Sequence, residues 1–418
     1  MSHLFLPLKS AQFRKYSAAT VLSAIGNGMH FVAMSWFLYQ HTGAVTSIGL
    51  MLITSMLPAM FLSPIAGVLV DRWNEKWICV AVDTLRGLIF ACLVLALYYD
   101  HWVLPAIYIS AFLVATCNLF YSPALSAMVR DISTKENLLN ANVLGSTSQQ
   151  VGLLCGASLG GFLVAEAGAV NVILLNAASF FVSAMLIAWI RKTSHEHSKS
   201  APRSRHAWGE LRETLEYVKQ HRFIIWLAVV QMLDTVVLCV TNTILPVFVS
   251  KELAGGPEAF GLIDAAWGGG AILGGILLSY LARHVDRHKI MIIGPAALAL
   301  LLMVFLTSQN TAQAIVGYFL LGLCVCAVGI NTNTVLVADV DPAYFGKIKS
   351  AIAMFISYIS LAVYGLLSLF GDLVSSRWIY AALSAFVMAG VVVKLVRMYR
   401  QGSPGQRDLQ PAAEDSAA

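Results

Sequence analysis

The sequence predicts an all-α polytopic membrane protein of twelve transmembrane helices, arranged as two six-helix bundles related by a pseudo-two-fold axis. Three observations carry that prediction. Of 418 residues, 58% are hydrophobic and only 12% charged, with a mean hydropathy of +0.74, whereas soluble domains carry about 25% charged residues. Apolar runs of about 20 residues, the length that crosses a bilayer, recur along nearly the whole chain. One long polar interruption divides those runs six and six. Helices rather than strands are expected, because open strands in lipid would leave backbone groups unpaired.

The first six spans are expected near residues 17–39, 47–70, 77–98, 104–128, 140–165 and 170–190. The first exceeds a signal-peptide core of about 7–15 residues and reads as a retained span. Six more are expected near 222–248, 259–281, 289–307, 312–337, 348–371 and 377–399. The chain thus divides into an N-terminal bundle (1–190), a linker (191–221), a C-terminal bundle (222–400) and a polar tail (401–418) expected to be disordered. Within the linker, Trp208, Leu211, Leu215 and Val218 recur at helical spacing on a charged segment, which fits a helix lying along the membrane surface.

Of the 27 lysines and arginines, all but Arg86, Lys251 and Arg377 fall in the two termini, the loops on their side or the span ends that adjoin them. The positive-inside rule therefore makes both termini cytoplasmic. All seven cysteines lie in apolar runs without a Cys-x-x-Cys pair, so neither a disulfide framework nor a zinc site is indicated. His195-Glu196-His197 in the linker is a weak metal motif, and no metal or cofactor is expected.

Buried polar groups are the sharper signal. A charge at mid-bilayer costs at least about 2.5 kcal/mol and usually lines a pathway. Asp234 falls near the midpoint of the seventh span and can exchange protons if water access alternates; the competing reading is a carboxylate hydrogen-bonded between helices. Asn27 lies at the corresponding depth of span 1, and His30, one turn on, is a second titratable candidate. Asp83 and Arg86 are spaced to share a helical face, either as a structural ion pair or as a gating element. Glu166 and Asp264 lie near the outer face and read as structural. Asn27, Gln149, Gln150, Gln231, Asn331, Thr332, Asn333 and Thr334, with Trp36, Tyr39, Tyr121 and Tyr358, supply polar and aromatic groups for a cavity suited to an amphipathic organic ligand. Gly152, Gly156 and Gly160 in span 5, and Gly270 and Gly274 in span 8, are four apart and admit close helix approach. Gly156-Ala157-Ser158-Leu159-Gly160 also matches a nucleophile elbow, but that motif needs a strand–turn–helix setting. No enzymatic activity is expected.

Between spans 2 and 3 the chain reads Gly67-Val68-Leu69-Val70-Asp71-Arg72-Trp73-Asn74-Glu75-Lys76. The second half answers with Ala282-Arg283-His284-Val285-Asp286-Arg287, which keeps the basic spacing but loses the first acid, as a diverged duplication would. With twelve spans and a long central loop, this Gly-x-Leu-x-Asp-Arg stretch resembles the major facilitator superfamily. Phe120-Tyr121-Ser122-Pro123-Ala124, Leu138-Leu139-Asn140-Ala141-Asn142, Gly156 to Gly161 and Gly346-Lys347 are similar to its drug and siderophore exporter branch, which includes macrolide efflux proteins and the enterobactin exporter.

That resemblance implies a monomeric transporter of a bacterial inner membrane. It would export a siderophore or macrolide-like molecule by alternating access, with protons moving inward as antiport and no nucleic acid involved. It implies gating roles for Gly67, Asp71, Arg72 and Lys76, with Asp71 just past the second helix meeting the start of span 11 near Gly346-Lys347. It also implies that spans 5 and 8 face each other across the halves, so that their glycine faces would form a sliding interface; packing within one half is the alternative. Two departures stand out: Asn27 replaces an acid often found after the first-span glycine, and Ala157 replaces the proline of the span 5 antiporter motif. A lysophospholipid carrier and a non-transporting membrane sensor of the same fold are the competing functions.

Overall fold

The computed structural model describes residues 6–100, 102–133, 137–191, 216–218, 221–281 and 284–400. A short 3-10 turn, Leu6–Lys9, leads into twelve long helices. In the first half these are α1 (Ala11–Thr42), α2 (Val45–Arg72), α3 (Glu75–Tyr98), α4 (Val103–Ile132), α5 (Leu138–Ala167) and α6 (Ala169–Ala188). In the second they are α7 (Arg222–Glu252), α8 (Pro257–Leu281), α9 (Arg287–Leu306), α10 (Thr311–Asp339), α11 (Pro342–Phe370) and α12 (Ser376–Arg400). All twelve contain a stretch long and apolar enough to cross a membrane. Several run past their expected spans, so that α2 reaches Arg72 and Asp71 lies inside its last turn rather than just beyond the helix.

Consecutive helices alternate in direction. We call the end holding the start of α1 and the finish of α12 the termini end, and the opposite one the far end. The packing repeats when six is added to each helix number: α1 meets α5 and α6 as α7 meets α11 and α12, and α4 meets α2 and α3 as α10 meets α8 and α9. The main contacts between halves obey the same operation, since α5 against α8 becomes α11 against α2. This is the pseudo-two-fold expected of two parallel repeats.

Equivalent turns are capped in equivalent ways. The Asn74 side chain accepts from the Lys76 N–H at 3.2 Å to start α3, and Asp286 accepts from the His288 N–H at 2.9 Å to start α9. Side-chain caps of this kind satisfy donors that a helix start leaves orphaned. Large apolar side chains such as Leu85, Phe162, Leu300 and Phe386 point outward, as a lipid-facing surface requires.

The glycine stripes correct one expectation. Alanine Cβ atoms at Gly152 and Gly160 would come within 2.6 Å of the Ala24 Cβ and 2.8 Å of the Met29 Cα, both on α1. Gly156 likewise abuts the Ile25 carbonyl, while Gly270 and Gly274 abut the Phe319 and Leu323 backbone on α10. Both stripes therefore pack within one half. The α5–α8 seam uses a different pair: a Cβ on Gly161 would lie 2.5 Å from the Pro257 carbonyl oxygen and 2.8 Å from the Gly261 Cα.

Of the linker, only Glu216–Val218 and His221 are described beyond Arg191; Trp208, Leu211, Leu215 and His195-Glu196-His197 lie outside the described residues, as does the tail 401–418. Tyr217 stacks on Tyr344 with ring centroids 4.4 Å apart, and its hydroxyl accepts from the Asp341 N–H at 3.2 Å. The linker's last turn is thereby seated on the start of α11.

Candidate functional site

Polar residues recur at three- and four-residue intervals along three helices of the first half. On α1 they are Tyr16, Thr20, Ser23 and Asn27; on α4, Asn118, Ser122 and Ser126; on α5, Asn142, Ser146 and Gln149. Such spacing puts each set on one helical face, and the three faces enclose a cavity of about 340 Å³ in the half nearer the termini. That volume is within the usual range for small-molecule pockets, about 300–1,000 Å³. Hydroxyl and amide groups dominate the wall, with Arg86 of α3 its one charge among the described lining residues.

Arg86 is held by a network joining three helices. Its Nη1 meets Asp83 Oδ1 at 3.1 Å, and its Nη2 donates to Asn118 Oδ1. Ser183 Oγ and the Tyr121 hydroxyl donate to the other Asp83 oxygen at 2.7 and 3.4 Å. The guanidinium also lies 4.2 Å from the Tyr121 ring centroid and 5.5 Å from that of Phe180. Both charges are essentially fully buried, and the pair is sustained by these contacts although the Arg86 Nε has no hydrogen-bond partner among the described residues. The i,i+3 spacing pointed to the pair; Asn118, Tyr121 and Ser183 as its partners required knowledge of how α3, α4 and α6 meet. One outward signal existed, since Asn118 is a single amide in the apolar run Cys117-Asn118-Leu119-Phe120.

The other sequence candidates scatter. Asn27 and Gln149 line the cavity together; Gln150 is exposed and does not. His30 packs against Phe90 with ring centroids 4.4 Å apart, its Nδ1 unpartnered among the described residues. Trp36 leaves the cavity altogether and stacks on Phe260 of α8 at 6.1 Å, in the contact between halves. Asn331 donates to the Arg287 carbonyl at 2.9 Å and pins α10 to the start of α9. Thr332 and Thr334 hydroxyls return to their own helix carbonyls, while Asn333 is exposed and Gln231 half-buried. Asp234 is buried in α7, and neither carboxylate oxygen has a hydrogen-bond partner among the described residues. Of the gating candidates, Gly67, Asp71 and Arg72 lie on the helical backbone of α2, but their side chains fall outside the described set. The Lys76 ammonium sits 5.3 Å from the Trp77 ring.

Among the described residues, the side-chain contacts between the halves that involve hydrogen bonds, ring stacking and close glycine approach lie toward the far end. Asp372, just after α11, accepts from the Val45 and Thr46 N–H groups at 2.6 and 3.2 Å and from the Thr46 hydroxyl at 2.8 Å. The single Thr46 hydroxyl proton is shared between that carboxylate and the Ser368 carbonyl, which lies at 2.6 Å. A carboxylate at the finish of α11 thus caps the start of α2, a cap that sequence reading missed because the partners are 326 and 327 residues apart. Phe31 and Trp36 on Phe260, and Gly161 on Gly261, complete the seam. Leu154 meets Gly268 near mid-helix.

Residues 2–411 match the family described as transmembrane secretion effector. The chain is 24% identical over 349 residues to the uncharacterized MFS-type transporter YvqJ of Bacillus subtilis, covering 82% of this chain and 81% of that one. It is 20% identical over 397 residues to macrolide efflux protein A of Streptococcus pyogenes, covering 92% and 95%. The crystal structure of the nucleoside transporter NupG superposes with a TM-score of 0.71 at 12% identity, covering 93% of this chain and 99% of that one. With twelve membrane-spanning helices in two pseudo-symmetric sixes and a match along nearly its whole length, the chain belongs to the transmembrane secretion effector family of major facilitator superfamily transporters, and is not an enzyme.

Proposed function

We propose that this transporter exports an amphipathic small organic molecule by alternating access, taking its substrate from the termini side and using inward proton movement. The observation that carries the reading is the polarity of closure among the described residues: their contacts join the halves toward the far end, while the polar cavity lies in the half toward the termini. A compartment of hydroxyl, amide and aromatic groups amid apolar helices suits a ligand of mixed polarity. Similarity to a macrolide efflux protein supports export of an organic molecule, and the basic residues crowding the termini side support a cytoplasmic origin for it.

Asp234 is the coupling residue in this reading. Buried without a partner among the described residues, its carboxylate can take up and release a proton when water access changes sides. The test is accumulation of labelled macrolides and other amphipathic compounds in everted vesicles, with and without a proton gradient. Asp234→Asn keeps size and hydrogen-bonding capacity but cannot ionise. It should bind substrate normally and lose gradient-driven accumulation; wild-type accumulation by this variant would remove Asp234 from coupling. Gradient-independent flux by the unaltered protein would refute antiport itself.

A further inference from the structure

A second concavity, sharing no lining residue with the polar cavity, lies at the termini end of the first half. It is an open concavity of about 660 Å³ between the start of α1, the start of α3 and the finish of α6. Lys15, Lys76 and Arg191 line it together with the indoles of Trp77 and Trp189, and no acid stands among its described lining residues. Lys15 is oriented by donating one of its three N–H bonds to the Trp189 carbonyl at 3.0 Å, leaving two donors for a ligand. Both indoles are about 60% exposed, and exposed tryptophans at a span's end mark the head-group level of a bilayer.

What distinguishes this pocket from a merely basic loop is its continuation. Asn74 and Trp77 also belong to a groove of about 370 Å³, whose other walls are Trp73, Ile78, Ala81, Val82 and Phe120. Ile78, Ala81 and Val82 follow at helical spacing along α3, so the groove leads from the basic pocket toward the middle of the membrane between α3 and α4. A cationic concavity at head-group depth, bordered at Asn74 and Trp77 by an apolar groove that follows α3 into the membrane, has the two-part chemistry of a lipid.

We propose that this composite site binds an anionic phospholipid, with the phosphodiester between Lys15, Lys76 and Arg191 and one acyl chain along Ile78, Ala81 and Val82. Charge complementarity favours phosphatidylglycerol-type head groups, since a choline ammonium would enter a chamber whose described walls already hold three cations and no acid. Because Lys76 follows directly on the α2–α3 connection, an occupied site ties that connection to the leaflet on the termini side.

The test uses the purified full-length protein in neutral detergent, with lipid binding counted by native mass spectrometry. Palmitoyl-oleoyl phosphatidylglycerol is the probe and its phosphatidylcholine counterpart the reference. The unaltered protein should bind the glycerol lipid about tenfold more tightly, a screened fraction of what three basic residues supply at a membrane surface. The Lys15→Gln, Lys76→Gln, Arg191→Gln triple variant should lose that preference while keeping its thermal unfolding midpoint in phosphatidylcholine. A control carrying Lys394→Gln and Arg397→Gln, elsewhere at the same end, should retain it. Ala81→Trp, which fills the groove, should weaken phosphatidylglycerol binding with the basic pocket intact. Equal binding of the two lipids, a preference that survives the triple change, or equal loss in the control would overturn the proposal. Displacement by glycerol 3-phosphate at concentrations equal to the lipid's would show recognition of a soluble anion and overturn it as well.

Discussion

Replacing Asp372 by alanine should release the far end. Its carboxylate accepts two backbone N–H bonds and one hydroxyl bond across the seam, from Val45 and Thr46. Those residues belong to the opposite half, so every one of the bonds is lost when the far end opens. Removing an N-cap costs about 0.5–2 kcal/mol, and the charge on the helix dipole adds about 0.3–1 kcal/mol where the site is exposed. Asp372 is exposed, which keeps its contribution near these values rather than those of a buried ion. The expected bias is therefore about 1–3 kcal/mol, or about 5- to 150-fold in the equilibrium between far-closed and far-open states. Asp372→Asn retains an acceptor but not the charge, and should fall between the wild type and Asp372→Ala. The assay is pulsed electron paramagnetic resonance on spin labels at Tyr99 and Gln309, one at the far end of each half, with the exposed thiols Cys92 and Cys155 replaced by serine. A long-distance population should grow in Asp372→Ala. An unchanged distance distribution in a folded variant would refute the latch, as would an asparagine effect larger than alanine's.

Gly161→Ala, whose clash is with α8 across an edge that stays engaged, should lower the unfolding temperature without enlarging the long-distance population in the same assay; Gly156→Ala, facing the α1 backbone, should likewise lower that temperature through about 1–3 kcal/mol of overpacking. Asp83→Ala leaves Arg86 buried and unpaired and should destabilise the first half by about 3–5 kcal/mol in a denaturation series, with partial recovery in the double variant Asp83→Ala, Arg86→Met. Asp286→Ala should cost about 1 kcal/mol or less by uncapping α9. The His288 N–H bond to Asp286 holds its pKa below the usual carboxylate value, so the stabilisation is present above the unfolded-state pKa and lost as pH falls through the lower folded one. Unfolding followed on acidification below about pH 4 should accordingly be flatter for Asp286→Asn than for the wild type.

Signals that act over a few residues were readable without a structure. Hydropathy located twelve spans because lipid imposes length and composition on each independently, and the Asp83–Arg86 spacing located the buried pair because one helix contains both partners. Choosing between neighbours is a different problem. Gly156 and Gly161 carry the same permission for close approach, yet one faces Ile25 in its own half and the other Gly261 across the seam. A five-residue step rotates the second away from the first by more than a quarter turn, and only the arrangement of whole helices says what each direction meets. Trp36 illustrates the same limit: its type suited a ligand cavity, but the approach of α8 gave it Phe260 instead. Asn27 and Gln149 reached the cavity because polar groups along α1 and α5 continue the faces on which they lie.

Although the two seams are related by the pseudo-two-fold, they are built of different materials. Where α5 meets α8 the chains touch backbone to backbone at Gly161 and Gly261; where α2 meets α11 they are fastened by an exposed carboxylate and a hydroxyl. Water can substitute for the second set of bonds one at a time, whereas nothing in solution replaces the contact area of two bare glycines. The halves should then part like a book whose clasp yields before its spine, with the α2–α11 edge swinging clear while the α5–α8 edge stays engaged as the axle. A molecule leaving toward the far end would meet a lopsided opening, widest on the side of Asp372, and its route out would be set by that asymmetry rather than by the symmetry of the fold.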